Sequence, residues 1–229
     1  MKEYRLAKKY YELYSSTGNQ DYLRAAIEVL SESDDPKSRY LLYTIYLELD
    51  EYEYADQVFV NLPPKYKTFI SALSIEDDVD RLNTLIELYK EEIDILHYYV
   101  VLLNTSIVLG REDIIDMLIV NKPKGLDEEE LQWLDEFLNI IDRFRKRFNG
   151  EMLEIIMDES YNILHMQTNQ IEGWNRMFVT MNVYRSGGTY KIYLPKDREL
   201  LEIAISLLFL TNRIPSTKMI DAILDEMDK

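Results

Sequence analysis

Residues 36–64 read PKSRYLLYTIYLELDEYEYADQVFVNLPP, and this stretch decides the fold that we predict. Asp35-Pro36 marks a helix start, because an acidic side chain caps the first turn and proline suits its first position. This helix is predicted to run to about Leu49. The sequence Asp50-Glu51-Tyr52-Glu53 predicts a capping box that opens a second helix, and Pro63-Pro64 closes it. Helices joined by so short a connection pack antiparallel as a pair.

Capped, apolar-striped segments continue on both sides of this pair. Six further helices are predicted at about 2–16, 20–31, 66–73, 78–89, 94–109 and 111–120. The chain then breaks at Lys122-Pro123-Lys124-Gly125. Eight short helices over residues 1–122 predict four antiparallel pairs stacked as a helical-repeat region, in which each pair buries its apolar face against its neighbours.

The remaining residues, 123–229, are predicted to form a second, C-terminal region. Its helices are expected at about 127–148, 151–166, 170–181, 197–210 and 216–227. Residues 182–195 instead alternate apolar and polar side chains around Gly187-Gly188, which predicts one β-hairpin or extended loop. In that hairpin Tyr190, Ile192 and Leu194 would share one face.

The predicted fold class is therefore all-α. Stacked antiparallel helix pairs form residues 1–122, and a C-terminal helical bundle carrying the single hairpin or loop forms residues 123–229.

The composition disfavours several kinds of partner. The chain has 229 residues with 42 acidic and 26 basic side chains, a formal charge of −16. Such an acidic protein repels nucleic-acid phosphates and anionic membranes. It contains no cysteine, which excludes disulfides, thiolate nucleophiles and cysteine-ligated zinc. No apolar leader opens the sequence and no apolar run is long enough to span a bilayer, so we expect a cytoplasmic protein.

No motif for catalysis, cofactor binding or metal binding is present. The seven glycines form no phosphate-binding loop. His97 and His165 lie far apart and lack metal-ligand neighbours at helical spacing. A basic cluster at Arg143 and Arg145–Arg147 lies near the end of a helix that begins with acids, so it either complements the helix dipole or forms an anion site. We predict that the chain is not an enzyme, with no catalytic, cofactor-binding or metal-binding residue.

Residues 36–64 resemble a tetratricopeptide repeat, whose small and aromatic positions are matched by Leu42, Tyr46, Tyr52, Ala55, Phe59 and Pro63-Pro64. Tyr43 departs from the pattern, because the family usually has glycine there. A weaker match recurs upstream at Tyr22, Ala25 and Val29, so the resemblance covers at most residues 1–122. It implies a right-handed stack with a concave surface that binds another polypeptide. By this analogy the partner-binding positions are Lys37, Tyr40, Thr44 and Leu47.

Eleven of the 18 tyrosines lie within residues 1–66. They either line a groove for a peptide or fill the space between helices in a chain with little alanine. The leading hypothesis is a non-enzymatic scaffold or adaptor that binds another protein or peptide through the helical-repeat surface. Whether the chain also forms a homodimer is left open.

Two alternatives use other features of the chain. The charge of −16 suits an acidic antagonist or regulator of a basic nucleic-acid-binding protein. Residues 207–227 could instead form a helix–turn–helix with its turn at Asn212–Pro215, which with the preceding hairpin hints at a winged-helix DNA-binding factor. The acidic residues Asp221, Asp225 and Glu226 in the last helix argue against DNA, because a recognition helix is normally basic.

Overall fold

The computed structural model describes residues 2–210, 213–214 and 216–227. They form two compact units. The N-terminal unit comprises the residues up to Leu102 together with Pro123–Leu126, and the C-terminal unit comprises Leu103–Lys122 together with the residues from Asp127 onwards. Asn212 and Pro215 of the predicted helix–turn–helix lie outside the described residues.

Helices occupy each of the eight places predicted within residues 1–122. They are α1 (Lys2–Thr17), α2 (Asp21–Leu30), α3 (Pro36–Glu48), α4 (Tyr52–Val60), α5 (Pro64–Leu73), α6 (Asp78–Tyr89), α7 (Leu96–Val108) and α8 (Glu112–Val120). The start predicted for α3 is confirmed, because the Asp35 carboxylate accepts from the backbone NH of Ser38 at 2.9 Å. Pro64 occupies the first turn of α5, so the proline pair also begins a helix.

The pairing of α3 with α4 is antiparallel. The Tyr43 ring lies 5.9 Å from Phe59, and the Tyr46 ring stacks on Tyr54 with centroids 5.4 Å apart. The later residue of α3 contacts the earlier residue of α4, so the two helices run in opposite directions. Between these helices Ala55 is buried, which lets their backbones approach closely.

The capping box predicted at Asp50–Glu53 is wrong. Asp50 has a positive φ of 57°, and the N-cap of α4 is Glu51, whose side chain makes no capping hydrogen bond. The Asp50 carboxylate instead accepts from the hydroxyl of Tyr52 at 2.8 Å. A capping box of this kind occurs later in the chain, between Asp127 and Glu130.

The C-terminal unit contains more than helices. It comprises part of α7, then α8, α9 (Glu128–Arg147), β1 (Glu151–Asp158), β2 (Ile163–Gln170), α10 (Trp174–Thr180), β3 (Asn182–Ser186), β4 (Thr189–Pro195), α11 (Arg198–Leu210) and α12 (Thr217–Met227). The strands form one antiparallel sheet in the order β2-β1-β4-β3.

The all-α fold class is therefore wrong, and so is the helix predicted over residues 151–166. The predicted hairpin exists as β3–β4, but it is only half of a four-stranded sheet. Met152, Leu153, Ile156 and Met157 recur at a spacing that also suits a helix, which is why the sequence misleads. In the structure every second residue of β1 is buried against β4. Leu153, Ile155 and Met157 lie directly opposite Leu194, Ile192 and Tyr190, which is the period of two expected for a strand.

A tight turn joins β1 to β2. The Asp158 carboxylate accepts from the backbone NH groups of Ser160 at 2.8 Å and Asn162 at 2.9 Å, and Tyr161 has a positive φ of 67°. This local bonding favours a turn over continued helix at the point where the sequence pattern predicts helix. The predicted shared face of Tyr190, Ile192 and Leu194 is buried, and β4 packs against α10 and α11.

None of the described helices combines the length and the apolar character needed to cross a bilayer.

Candidate partner-binding groove

The surface of the N-terminal unit has a groove where the end of α2 meets α3 and α4. Its volume is about 250 Å³. We call it the α2–α4 groove, and it is lined by Leu30, Ser31, Ser33, Arg39, Leu42, Tyr46, Tyr54, Gln57, Val58 and Asn61.

The floor of the α2–α4 groove is apolar and rigid. Leu30 and Leu42 are buried in the same core cluster as Ile45. The stacked rings of Tyr46 and Tyr54 form a wall, and Tyr54 remains 54% exposed. A largely exposed tyrosine held by stacking offers an apolar ring and a polar hydroxyl at little cost in conformational entropy.

Arg39 is the only cationic side chain among the lining residues, and it is already engaged. Its Nε donates to the carbonyl of Ser33 at 3.4 Å, and its terminal nitrogen pairs with the carboxylate of Asp34. Asn61 donates to the carbonyl of Gln57 at 2.9 Å. These bonds tie the polar rim to the ends of α2 and α4, and the Asp34 pair neutralises the positive charge locally.

The groove is formed within a stretch of the chain that is rich in acidic residues. Residues 21–61 contain 10 acidic and 3 basic side chains, a net charge of −7 out of −16 for the whole chain. Of the basic three, Lys37 is buried with its ammonium over the ring of Tyr4, and Arg39 is paired as above. Exposed carboxylates stand next to lining residues in the sequence, at Glu32, Asp34 and Glu53. The stretch of chain that forms the groove is therefore net negative, which favours the approach of a cationic ligand.

The four residues predicted to bind a partner lie along α3 but differ in burial. Lys37 and Tyr40 are buried, Thr44 is half-buried and donates to the carbonyl of Tyr40, and Leu47 is 38% exposed. The Tyr40 ring packs against Tyr66, at 5.9 Å between centroids. The structure thus brings Lys37 and Tyr40 into the interior of the unit, away from the α2–α4 groove, and their role toward a partner stays a prediction.

Sequence reasoning missed Arg39, Tyr54 and Gln57 as groove residues. Tyr46 and Leu42 entered only as packing positions of the repeat resemblance. Two signals pointed to this place, the concentration of acidic residues in 21–61 and the Tyr52-Glu53-Tyr54 run at the start of α4. Neither signal says that α2 ends beside them, which is what encloses the groove.

In the C-terminal unit, the basic cluster of α9 is tied up in ion pairs. Arg145 has a side chain only 12% exposed and contacts the carboxylates of Asp142, Asp116 and Glu112. Arg147 and Arg143 pair with acids on and before α11. The cluster therefore links α9 to its neighbours, which leaves little positive potential for an anion.

Among the described residues, no three acidic or histidine side chains gather closely enough to hold a metal ion. No protein-family model matches the sequence, and comparisons with curated proteins and with solved structures give no significant match.

Proposed function

We propose that the chain is a protein-interaction module whose α2–α4 groove binds a basic segment of a partner protein through one inserted apolar side chain. The observation that carries this proposal is the coincidence of an apolar, tyrosine-walled groove with a stretch of the chain, residues 21–61, that carries a net charge of −7. The rest of the scaffold supports it only by analogy, because a helical-repeat architecture hosts many functions.

The volume of the groove fits one large side chain. A cavity of about 150 Å³ takes up benzene in a protein interior. The α2–α4 groove, at about 250 Å³, therefore accommodates a leucine or aromatic side chain together with part of its backbone. Such an anchor in an apolar pocket, with polar contacts around it, is the usual arrangement of a binding hot spot.

Charge decides which peptides are favoured. With Arg39 paired to Asp34, lysine or arginine residues on either side of the anchor would meet the exposed carboxylates of Glu32 and Glu53. Pairing of opposite charges across a rim speeds association and excludes acidic competitors. Many proteins with basic segments bind nucleic acid. If the groove occupies the basic segment of such a protein, this chain would act as its antagonist or regulator.

The remaining parts of the functional interpretation are also proposals. The resemblance of residues 36–64 to a tetratricopeptide repeat agrees with the antiparallel α3–α4 pair and the buried Ala55. A cysteine-free chain suits the cytoplasm. No observation favours DNA binding through α12, where the acidic residues outnumber Lys218, or an enzymatic activity.

The test is a selection of random peptides on the full chain. We expect the selected peptides to share a net positive charge and one large apolar residue. Their affinity should fall as salt rises from about 50 to 300 mM, because screening weakens the contribution of exposed charges.

Two substitutions locate the binding. Tyr54→Ala removes the groove wall, and Glu32→Lys reverses an exposed charge that lies between the lining residues Ser31 and Ser33. Each should weaken binding at least ten-fold, whereas the matched controls Tyr184→Ala and Glu136→Lys, exposed in the C-terminal unit, should not. Selected peptides without positive charge, or binding unaffected by Tyr54→Ala and Glu32→Lys, would contradict the proposal.

A further inference from the structure

The sheet of the C-terminal unit ends on one side in an unusual edge strand. β2 (ILHMQTNQ) pairs with β1 alone, and none of its eight residues is buried. Among the described residues, no hydrogen bond joins its outer backbone groups to another part of the chain. An edge of this length leaves about four NH and four carbonyl groups pointing outward.

β2 lacks two of the features that commonly protect an edge strand, charged side chains and proline. Charged side chains, especially lysine, and proline keep natural edges from pairing with other chains. Charged residues make up 30% of the chain, so eight residues would carry two or three, yet β2 has none and no proline. The opposite edge is different, because β3 has only five residues and carries Arg185.

The one irregularity in β2 leaves most of the edge intact. His165 lies opposite Ile156 and Ile163 lies opposite Met157, so Leu164 is an extra residue in a bulge, 60% exposed. From His165 to Gln170 the pairing with β1 is regular, residue for residue. Six consecutive residues are enough for a further strand to add to the sheet, since strands of five or six residues are typical.

We infer that the His165–Gln170 edge pairs with the same edge of a second copy of this chain, in an antiparallel, two-fold arrangement. Two copies that each carry a charge of −16 repel one another across most surfaces. The repulsion is smallest where neither copy contributes a charge, and the uncharged edge provides such a place. An antiparallel strand pair is also self-complementary under two-fold symmetry, which closes the assembly at a dimer. The result is a continuous eight-stranded sheet.

The first experiment measures oligomeric state by light scattering over a range of protein concentrations. Wild type should approach twice 27.3 kDa as concentration rises. Thr168→Glu places one carboxylate on the β2 edge of each copy, so the two charges come close together in the dimer. The dissociation constant of the dimer should therefore rise at least ten-fold. Thr217→Glu, an exposed threonine outside the sheet, is the matched control and should leave dimerisation unchanged. A monomer at all concentrations, or a dimer insensitive to Thr168→Glu, would overturn the inference.

The second experiment uses the absence of cysteine from the chain. Single cysteines at positions 165, 167 and 168 are placed one at a time, with Thr217→Cys as the control. Residues opposite each other near a two-fold axis have Cα atoms about 4.5–5.5 Å apart, within the range that a disulfide bridges. At least one β2 position should form disulfide-linked dimers under mild oxidation, and the control should not. A dimer that forms through another surface gives no β2 cross-link, which would refute the inference even if Thr168→Glu fails to fold.

Discussion

The hydroxyl of Tyr40 lies 2.7 Å from Nδ1 of His97, 57 residues away in the sequence. Both rings also pack against Phe69, with centroids 6.0 Å and 5.4 Å from it. Burial raises the pKa of Tyr40 well above its usual value, so the hydroxyl stays protonated and forms a hydrogen bond with Nδ1 of His97, in which the imidazole tautomer sets which group donates. The contact joins α3, α5 and the start of α7 in the N-terminal unit.

Tyr40→Phe should therefore destabilise the N-terminal unit. Removing the hydroxyl leaves His97 Nδ1 without this hydrogen-bond partner, which costs about 0.5–1.5 kcal/mol of unfolding free energy. Tyr52→Phe is the control, because that hydroxyl bonds Asp50 on an exposed surface and should matter by less than about 0.5 kcal/mol. Urea unfolding followed by circular dichroism measures both, and equal effects would contradict a structural role for Tyr40.

The free energy of unfolding should also decrease at acidic pH because of the protonation of His97. Desolvation of the imidazole by the surrounding residues lowers the pKa of His97 in the folded protein, although the residue keeps some contact with solvent. The unfolded chain then takes up a proton more readily, so the stabilisation is present above the ordinary histidine pKa of about 6.5 and is lost as pH falls below it.

The measurement compares wild type with His97→Gln at pH 7.5 and 5.5. Wild type should lose more unfolding free energy than the variant over this interval. Contributions from the carboxylates largely cancel in the difference between the two proteins. A variant that loses as much stability as wild type would show that His97 does not titrate in this way.

The ion pairs of α9 give a contrast within one cluster. Arg145→Met removes the cation that Asp142 and Asp116 share, and its side chain is only 12% exposed. We expect a loss of about 1–3 kcal/mol, because Asp116 loses its cation while Asp142 keeps Lys146, and the two acids still repel each other. Arg143→Met breaks an exposed pair with Glu199 and should cost less than about 1 kcal/mol. Thermal unfolding of both variants tests whether burial sets the difference.

The strand character of β1 predicts an alternating response to truncation. Ile155 is fully buried, and Ile155→Ala should cost about 2–5 kcal/mol. Ile156 belongs to the opposite face, beside Lys191 and His165, and remains partly hydrated. Ile156→Ala should therefore cost clearly less. Similar losses at both positions, measured by urea unfolding, would argue against this strand.

The helices of residues 1–122 were predictable because their signals are local. Asp35-Pro36 and the glycines at 18 and 110, both with positive φ, act on the residues beside them. The sheet was not, because β2 buries no residue and so has no apolar face to reveal it. Gly150 and Gly173, with φ of +90° and +84°, flank the β1–β2 hairpin, but glycine alone equally marks the end of a helix.

The groove was less predictable than the helices that form it. Its apolar floor is visible as ordinary core residues, and its tyrosines are visible as aromatic positions of a repeat. The stacking of Tyr46 on Tyr54 and the approach of Ser31 and Arg39 depend on how three helices meet. The resemblance to a tetratricopeptide repeat predicted instead that partner-binding residues lie along α3. Two of these residues, Lys37 and Tyr40, are buried.

Hydrogen–deuterium exchange of the full chain, with and without a basic peptide obtained by selection, tests the central proposal most directly. The account predicts that the peptide slows exchange in the backbone around residues 28–34 and 39–61, and leaves the exchange of β1–β4 unchanged. Protection confined to the sheet, or to any surface outside residues 28–61, would contradict it.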